Sequence, residues 1–449
     1  FIVMELRSHT TSEARYIPAK EPTAEWKIVE PRKPGVEYYI DHNADSFYIR
    51  VNDAGRNFRL VTAPITDPGS KNWHEVMAHN PAIMLDDIDL FKNFCILYER
   101  ENGLPQIRVV DLRNGHSRRL AFPEPAYAVY PYTNRVYDTT EFRYGYQSPI
   151  TPQSVFSYDM ETGASQLLKQ KEVPGGYDRS KYEVEQIYTA ASDGTKIPVS
   201  VLHLKGAKLD GSGPLYLYGY GSYGISIDMF FNSNIFSMVD RGVTYAVAHI
   251  RGGGEMGKAW HDAGKMMNKK NTFTDFIAVA DDLTKRGYGS KDKLVIEGGS
   301  AGGLLMGAVL NMRPDLFHAA VVKVPFVDVM NTMLDESLPL TVGEFEEWGN
   351  PKEKAAFEYM INYSPYDNVE AKAYPNMLVK TSFNDSQVMY WEPAKYVAKM
   401  RATRTDHNNL VFKVNLNPAG HGGASGRYDR LHEASFDYAY ILTQMGINN

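Results

Sequence analysis

Residues 294–310 run from a buried-strand pattern, through a serine flanked by glycines, directly into a helical pattern. Gly298 and Gly302 stand two positions before and two after Ser300, which allows a strand and a helix to approach closely around a strained turn. Such a turn lifts the serine hydroxyl clear of the sheet, and the N–H groups that begin the helix can face a developing oxyanion. We interpret Ser300 as a nucleophile. An ordinary strand–helix turn is the alternative, because Gly and Ser are common turn residues.

Composition limits the class of protein. A length of 449 residues favours two or more domains. The 48 basic and 54 acidic side chains give a net charge of −6, which argues against nucleic acid or an anionic membrane as a partner. No apolar run approaches the roughly 18 residues of a membrane span. The single cysteine, Cys95, excludes an internal disulfide, is typical of a small core residue, and favours a cytoplasmic location.

Residues 1–180 consist of short strand patterns separated by turn signals. A pattern of Asp, Gly and Leu recurs 48 residues further along the chain, with a looser copy upstream. The copies are Asp111, Gly115 and Leu120; Asp159, Gly163 and Leu168; and, more loosely, Asp53, Gly55 and Leu60. A period of about 40–50 residues in all-β sequence is typical of four-stranded propeller blades, of which this stretch would make three to four. An irregular β-sandwich is the alternative.

Residues 181–449 alternate between strand and helix patterns after a predicted hairpin over 186–202. We predict further strands at 215–218, 243–250, 293–296, 319–324, 377–381 and 410–416, and helices at 272–286, 301–312, 392–403 and 427–444. Continuous apolar strands alternating with helices indicate a parallel sheet covered on both faces, with sites at the carboxyl ends of the strands.

Two further residues follow predicted strands in the chain order expected for a Ser–Asp–His triad. Asp385 comes just after the strand at 377–381, and His421 stands among glycines after the strand at 410–416. In this interpretation His421 accepts the Ser300 proton, while Asp385 fixes the His421 tautomer and stabilises the imidazolium. Taken singly, the two are also compatible with a turn aspartate and an exposed loop histidine.

Two other stretches have less specific patterns. The Gly-rich sequence after Arg251 lacks the spacing of a phosphate-binding loop, so it favours close backbone packing near the site over nucleotide binding. The acidic run 335–347 lies on a segment that we predict to be strand or loop. It is either a solvated surface or a pocket for a cationic side chain. No His/Cys cluster has metal-ligand spacing, so we expect neither a metal nor a cofactor.

Several motifs together resemble the prolyl oligopeptidase family of serine peptidases, and specifically its oligopeptidase B branch. The matching stretches are 218–224 (Tyr-Gly-Tyr-Gly-Ser-Tyr-Gly), 249–255, 298–304, 313–317, 324–329, 343–351, 363–368 and 420–423. The resemblance implies an α/β-hydrolase catalytic domain at 181–449 and, at 1–180, three to four blades of a seven-bladed β-propeller. The propeller would then be incomplete in this chain, and either a companion N-terminal fragment completes it or the propeller is open and excludes large substrates less well.

The same resemblance implies roles for individual residues. Ser300, Asp385 and His421 would form the triad, and the Tyr220 hydroxyl and the Ala301 N–H would bind the oxyanion. The remaining implied residues all bind substrate: Glu344 and Glu346 hold the basic side chain before the scissile bond, Tyr223 and Phe326 line its pocket, and Arg251 and Asp228 make further contacts. The chain departs from the family at Phe230, where a second acid would favour dibasic sites. Gln387 stands where the prolyl branch has Arg.

The sequence therefore predicts a cytoplasmic serine oligopeptidase that cleaves short peptides after Arg or Lys through an acyl-enzyme. An esterase or an aminoacyl-peptide hydrolase on the same scaffold is the enzymatic alternative, because a fold does not fix a substrate. A propeller-based interaction module with an inactive hydrolase domain is the non-enzymatic alternative.

Overall fold

The computed structural model describes residues 1–448, which divide into two compact units. The first unit comprises Phe1–Glu172 together with the short segment Glu255–Ala259. The second comprises Val173–Gly254 and the described residues from Trp260 onward.

The first unit is built of antiparallel sheets in which strands adjacent in sequence pair with each other. A three-stranded sheet contains β1 (Ile2–Arg7), β2 (Ser12–Ile17) and β3 (Lys27–Ile28). A four-stranded sheet contains β4 (Tyr38–Asn43), β5 (Ser46–Val51), β6 (Arg59–Pro64) and β7 (His74–Met77). The next contains β8 (Ile83–Leu90), β9 (Phe94–Glu101), β10 (Leu104–Asp111) and β11 (Ser117–Arg119). The last contains β12 (Ala128–Pro131), β13 (Glu141–Ser148), β14 (Thr151–Asp159) and β15 (Ser165–Gln170).

The repeated Asp–Gly pattern marks the same turn in two successive sheets. Gly115 lies between β10 and β11, and Gly163 lies between β14 and β15, in each case the turn from the third strand to the fourth. Both glycines have a positive φ (75° and 82°), and the N–H of each donates to the carbonyl of the aspartate four residues earlier at 2.8 Å. The looser copy at Asp53, Gly55 and Leu60 does not mark this turn, because Gly55 lies between the second and third strands of its sheet. The prediction of a third copy is therefore wrong.

Alternating apolar side chains form the core of the first unit. Cys95 is buried beside Phe58, Leu60, Leu85 and Leu97, which confirms its prediction as a core residue. Its burial raises the pKa of the thiol, so the residue is protonated and unreactive at neutral pH.

The second unit contains one eight-stranded sheet, in the order β16-β17-β19-β18-β20-β21-β22-β23. Its strands are β16 (Tyr182–Ala190), β17 (Lys196–Leu204), β18 (Leu215–Gly219), β19 (Thr244–Ala248), β20 (Leu294–Gly299), β21 (Ala319–Lys323), β22 (Asn376–Ser382) and β23 (Leu410–Asn415). The hairpin β16–β17 forms an antiparallel edge, and the other six strands run parallel. The parallel sheet and its edge hairpin, both predicted from the strand patterns, are confirmed.

The helices of the described chain are α1 (Phe236–Val239), α2 (Lys258–Asp262), α3 (Lys270–Lys285), α4 (Ala301–Met312), α5 (Val329–Leu334), α6 (Phe345–Trp348), α7 (Lys354–Met360), α8 (Trp391–Thr403) and α9 (Arg427–Gln444). Short 3-10 turns occupy Ser70–Asn72, Arg179–Lys181, Ser233–Ile235, Met266–Asn268, Lys291–Lys293 and Pro314–Leu316. The four long helices confirm the predicted ones. Within residues 1–448, no helix combines the length and apolar character needed to cross a membrane.

The acidic segment differs from the prediction of strand or loop, because its last residues form the single-turn helix α6. Helical spacing places Glu344, Glu347 and Trp348 on a common side, since positions three and four apart share a helix face. Glu347 and Trp348 are buried, whereas Glu346 is exposed.

The turn between β20 and α4 is closed by close backbone contact. A Cβ atom on Gly298 would lie 2.3 Å from the carbonyl oxygen of Gly302, and a Cβ on Gly302 would lie 2.9 Å from the carbonyl oxygen of Gly219. Both distances are far inside van der Waals contact. The approach of strand to helix therefore requires glycine at both positions, as the sequence predicts.

We expect Gly298→Ala to destabilise the protein by about 1–3 kcal/mol, because the added methyl group forces the backbone of β20 and α4 apart. Urea unfolding followed by tryptophan fluorescence measures this as a lower midpoint. Gly213→Ala is the matched control, since a Cβ at that position meets open space. Equal midpoints for the two variants would show that the turn relaxes without cost.

Candidate active site

Ser300 lies in the turn between β20 and α4 with a strained backbone (φ 59°, ψ −119°). Non-glycine residues avoid this region unless their surroundings hold them in it. Here the Ser300 N–H donates to the Lys323 carbonyl at 2.9 Å, and the Ser300 carbonyl accepts from the Phe326 N–H at 3.1 Å. The two bonds connect the serine to the last residue of the neighbouring strand β21 and to the segment that follows it. They thereby fix its position at the carboxyl end of β20.

A cavity of about 320 Å³ opens beside Ser300. Besides Ser300, its walls include four more of the predicted site residues: Tyr220, Tyr223, Phe326 and Glu344. Much of the remaining lining is apolar and comes from Met333, Leu338, Pro339, Leu340, Val388 and Met389. The structure thus brings the serine, two tyrosines and acidic side chains to one concave, mainly apolar site.

Two donors are placed where they could stabilise negative charge near Ser300. Ala301 is the first residue of α4, so its N–H belongs to the first-turn groups that have no partner within the helix. Tyr220 follows β18 directly, and its ring lies 3.3 Å from where a Cβ on Gly302 would stand. Burial raises the pKa of Tyr220, which keeps its hydroxyl protonated and able to donate.

Glu344 is oriented by two aromatic side chains. The Tyr223 hydroxyl donates to Glu344 Oε1 at 3.0 Å, and Trp348 Nε1 donates to Glu344 Oε2 at 2.7 Å. Burial, and next the neighbouring Glu344 carboxylate, raise the pKa of Tyr223, so its phenol remains a donor. The Trp348 ring also packs against Phe326, with centroids 5.3 Å apart. The carboxylate therefore stands in an aromatic pocket with a fixed orientation.

Asp385 and His421 are joined directly. His421 Nδ1 lies 2.7 Å from Asp385 Oδ2, and the Asp385 side chain is fully buried. Asp385 Oδ1 accepts from the N–H groups of Gln387 and Val388, two residues that also line the cavity. Within residues 1–448 the structure contains no hydrogen bond between the Ser300 hydroxyl and the His421 ring. Such bonds are often long without substrate.

Three predicted substrate-binding residues lie outside this cavity. Arg251 is only 7% exposed, and its guanidinium donates to Asp275 and Asp193, so ion pairs hold it within the fold; its contact with substrate stays a prediction. Glu346 is exposed on α6, because alternate residues do not share a helix face. Asp228 is half-buried in the segment between β18 and α1.

The sequence interpretation missed Glu392, which lines the cavity and is almost fully buried. Its Oε2 accepts from the N–H groups of Val327 and Asp328, and its Oε1 accepts from the Thr332 hydroxyl at 2.6 Å. Glu392 therefore fixes the segment that carries Phe326. In the sequence it is an ordinary acid in the first turn of a predicted helix, and nothing local distinguishes it.

No described group of three or more His, Cys, Asp or Glu side chains is arranged to hold a metal ion. The predicted site residues supply a hydroxyl, an imidazole, carboxylates and backbone or phenol donors, which suit acyl transfer through a covalent intermediate.

Comparison with known families assigns both units. Residues 229–448 match the model of the prolyl oligopeptidase family, and residues 1–171 match that of the prolyl oligopeptidase N-terminal beta-propeller domain. The chain belongs to the prolyl oligopeptidase family. The predicted fold class, a catalytic α/β-hydrolase domain with a propeller domain, is confirmed.

Similar proteins carry different names. This family member is 46% identical over its whole length to dipeptidyl aminopeptidase BI of Pseudoxanthomonas mexicana, covering 62% of that protein. It is 43% identical to protease 2 of Moraxella lacunata, again over its whole length and covering 64% of that protein. The solved structure of oligopeptidase B from Trypanosoma brucei with covalently bound antipain matches all of the chain at 38% identity with a TM-score of 0.93, covering 66% of that protein. The chain thus spans less than two thirds of the length of these relatives.

We expect Glu392 to make stability depend on pH. Burial and, to a lesser degree, Asp328 raise the pKa of Glu392 from its ordinary 4.5 to about 7. The folded state therefore binds the proton more tightly than the unfolded state, and stability falls as pH rises from 4.5 to about 7, by at most about 3 kcal/mol. Urea unfolding at several pH values measures this.

Glu392→Gln is the matched variant, since it retains the shape and resembles the protonated carboxyl, with one acceptor and one donor, but has no ionisable proton. The difference in unfolding free energy between wild type and Glu392→Gln should fall across this pH window. Parallel pH profiles would mean that Glu392 ionises normally in the folded protein.

Proposed function

We propose that the second unit is the catalytic domain of a serine peptidase of the oligopeptidase B type, which hydrolyses short peptides after Arg or Lys. One observation supports this most strongly: the cavity beside the strained Ser300 also contains the oriented carboxylate of Glu344. A nucleophile and a fixed negative charge in a single apolar pocket suit a substrate with a cationic side chain next to the scissile bond.

In the proposed reaction, His421 accepts the proton of Ser300 as Oγ attacks the scissile carbonyl, and Asp385 stabilises the imidazolium that forms. The carbonyl oxygen becomes an oxyanion, which the Ala301 N–H and the Tyr220 hydroxyl stabilise. The tetrahedral intermediate collapses as the C–N bond breaks, and the leaving amine takes the proton from His421. Water then gives a proton to His421 and attacks the acyl-enzyme. The ester C–O bond breaks, His421 returns the proton to Ser300 Oγ, and the peptide acid leaves.

Glu344 would bind the basic side chain of the substrate. A carboxylate can accept about four hydrogen bonds, so the bonds from Tyr223 and Trp348 are compatible with further bonds from a guanidinium. Neighbouring Tyr223 and Phe326 would enclose the aliphatic part of that side chain. Desolvation in this pocket strengthens the attraction between the two charges.

Two arrangements could bind the cation: Glu344 alone, or Glu344 and Glu346 as a pair. The cavity geometry favours Glu344 alone. Glu346 is exposed, and an exposed carboxylate attracts a cation only weakly in water. An esterase for apolar acyl groups would gain nothing from Glu344, which argues against that alternative. An inactive interaction module would gain nothing from the strained serine.

We expect Ser300→Ala to abolish peptide hydrolysis and labelling by a fluorophosphonate. Glu344→Gln should lower kcat/KM for Arg substrates by about 30-fold to several hundredfold, the equivalent of roughly 2–4 kcal/mol. The measurement uses peptide amides that differ only in Arg, Lys, Pro or Phe before the scissile bond. Glu346→Gln, the matched change of charge, should have a much smaller effect.

The outcomes separate the alternatives. Preference for Pro or Phe, or an Arg rate unaffected by Glu344→Gln, contradicts the proposed pocket. Turnover of esters alone supports the esterase. Each substrate is also tested with a free and an acetylated N-terminus, because one relative is named a dipeptidyl aminopeptidase. Loss of cleavage on acetylation would show release of dipeptides from a free N-terminus.

A further inference from the structure

The loop of residues 220–223, between β18 and the segment that leads to α1, contributes both tyrosines of the proposed site. Tyr220 and Tyr223 line the cavity. Two residues of the loop have a left-handed backbone, Gly221 (φ 70°) and Tyr223 (φ 61°). A tyrosine in this region is strained and persists only where surrounding contacts hold it.

Two ionisable side chains supply such contacts, and a third pairs with one of them. We call Lys269, Glu347 and His261 the buried ion network; Lys269 lies just before α3, Glu347 in α6 and His261 in α2. Lys269 Nζ donates to the Gly221 carbonyl at 2.7 Å and to the Ser222 hydroxyl at 2.8 Å. Glu347 Oε1 accepts from the N–H of Tyr223 at 3.0 Å. The network therefore contacts three consecutive residues of the loop.

The charges of the network compensate one another. His261 Nε2 lies 2.6 Å from Glu347 Oε2, and Lys269 Nζ lies 3.9 Å from Glu347 Oε1. Burial acts to raise the pKa of Glu347, but the hydrogen bond from His261 and the charge of Lys269 outweigh it and leave the pKa below its ordinary value. Burial lowers the pKa of Lys269 to about 8, so the side chain is still mainly charged at neutral pH.

The network also contacts the proposed specificity pocket. Lys269 Nζ lies 4.9 Å from the centre of the Trp348 ring, a cation–π contact. The same Trp348 donates to Glu344, and its ring packs edge-on against Tyr223 at 5.5 Å. One buried lysine thus touches both the loop of Tyr220 and the indole that orients Glu344.

We propose that Lys269 and Glu347, supported by His261, are positioning residues that hold the Tyr220 hydroxyl in place for the oxyanion and Tyr223 in place as the pocket wall. This inference rests on the proposed function, because it assigns a task to Tyr220 in that reaction. A lysine is expensive to bury, and an apolar side chain of similar length would fill the volume. Lys269 makes three polar contacts that an apolar residue cannot make, with Gly221, Ser222 and Glu347.

A purely structural role predicts a different result from a positioning role. If the network only stabilises the fold, its loss lowers stability, but the Tyr220 hydroxyl stays as effective as before. If the network positions Tyr220, its loss misplaces that hydroxyl, and removing the hydroxyl afterwards has little further effect. The two roles are separated by the coupling between substitutions, which a double-mutant cycle measures.

The experiment measures kcat for an Arg peptide amide in wild type, Tyr220→Phe, Lys269→Met and the Tyr220→Phe/Lys269→Met double variant. Tyr220→Phe should lower kcat on the order of a hundredfold in the wild-type background. In the Lys269→Met background, the same change should lower kcat less than about threefold. Lys265→Met is the matched control, since Lys265 pairs with Asp262 and makes no contact with the loop. In that background the hundredfold effect should persist.

Lys269→Met leaves the Glu347 charge without its lysine, so a variant that fails to fold is replaced by Lys269→Met/Glu347→Gln, which removes both charges. An equal effect of Tyr220→Phe in all backgrounds, with turnover that depends on Ser300, overturns the positioning role and leaves the proposed function intact. Wild-type turnover that survives Ser300→Ala overturns the proposed function and this inference with it.

Discussion

Between Gly298 and Gly302 the backbones of β20 and α4 approach so closely that one added methyl group would overlap a carbonyl oxygen. This approach forces the residue between them into a conformation that side chains avoid, and Ser300 adopts it. The strained serine is held by bonds to Lys323 and Phe326, so the neighbouring strand and the pocket wall are fixed by the same contacts. The position of the hydroxyl, the first N–H of the helix and one wall of the cavity are thus consequences of a single backbone geometry.

Three glutamates around the cavity differ in the partners that surround them, and this difference separates their roles. Glu392 is held by two backbone N–H groups and a hydroxyl, and burial makes its ionisation unfavourable. Glu347 is compensated by Lys269 and bonded to His261. Glu344 accepts hydrogen bonds from a phenol and an indole and lines the cavity beside Ser300. We therefore propose Glu344 as the carboxylate that binds a cationic side chain in the cavity.

The sequence predicts what depends on local pattern. The strand and helix periods and the glycines around Ser300 lie within short stretches, and the fold predicted from them is confirmed. The triad of Ser300, Asp385 and His421 stays a prediction. The prediction of strand or loop for the acidic run is wrong for its last residues, because they form the helix α6, in which alternate residues do not share a face. Glu346 therefore faces outward where Glu347 is buried.

Partners that are distant in sequence explain the remaining differences between the sequence predictions and the structure. Arg251 pairs with Asp193 and Asp275, which are 58 and 24 residues away, so its burial follows from the packing of three separate segments. Glu392 and Lys269 likewise take their roles from residues that are 64 and 48 positions away. Each is an ordinary charged residue in its local sequence, and only the folded domain brings it close to the partners that define its role.

Catalytic chemistry and substrate preference rest on different kinds of structure in this domain. The serine turn depends on backbone geometry, so substitution there disrupts packing as well as chemistry. The pocket depends on side chains of the loop after β18, the segment after β21 and helix α6, where single substitutions can change a charge or a wall and leave the sheet intact. Relatives that share the fold can therefore differ in the substrates their names imply. Because Lys269 contacts both the loop of Tyr220 and the indole beside Glu344, a change in the pocket wall near Trp348 would also disturb Tyr220, the proposed oxyanion donor, and this limits how freely the pocket can vary.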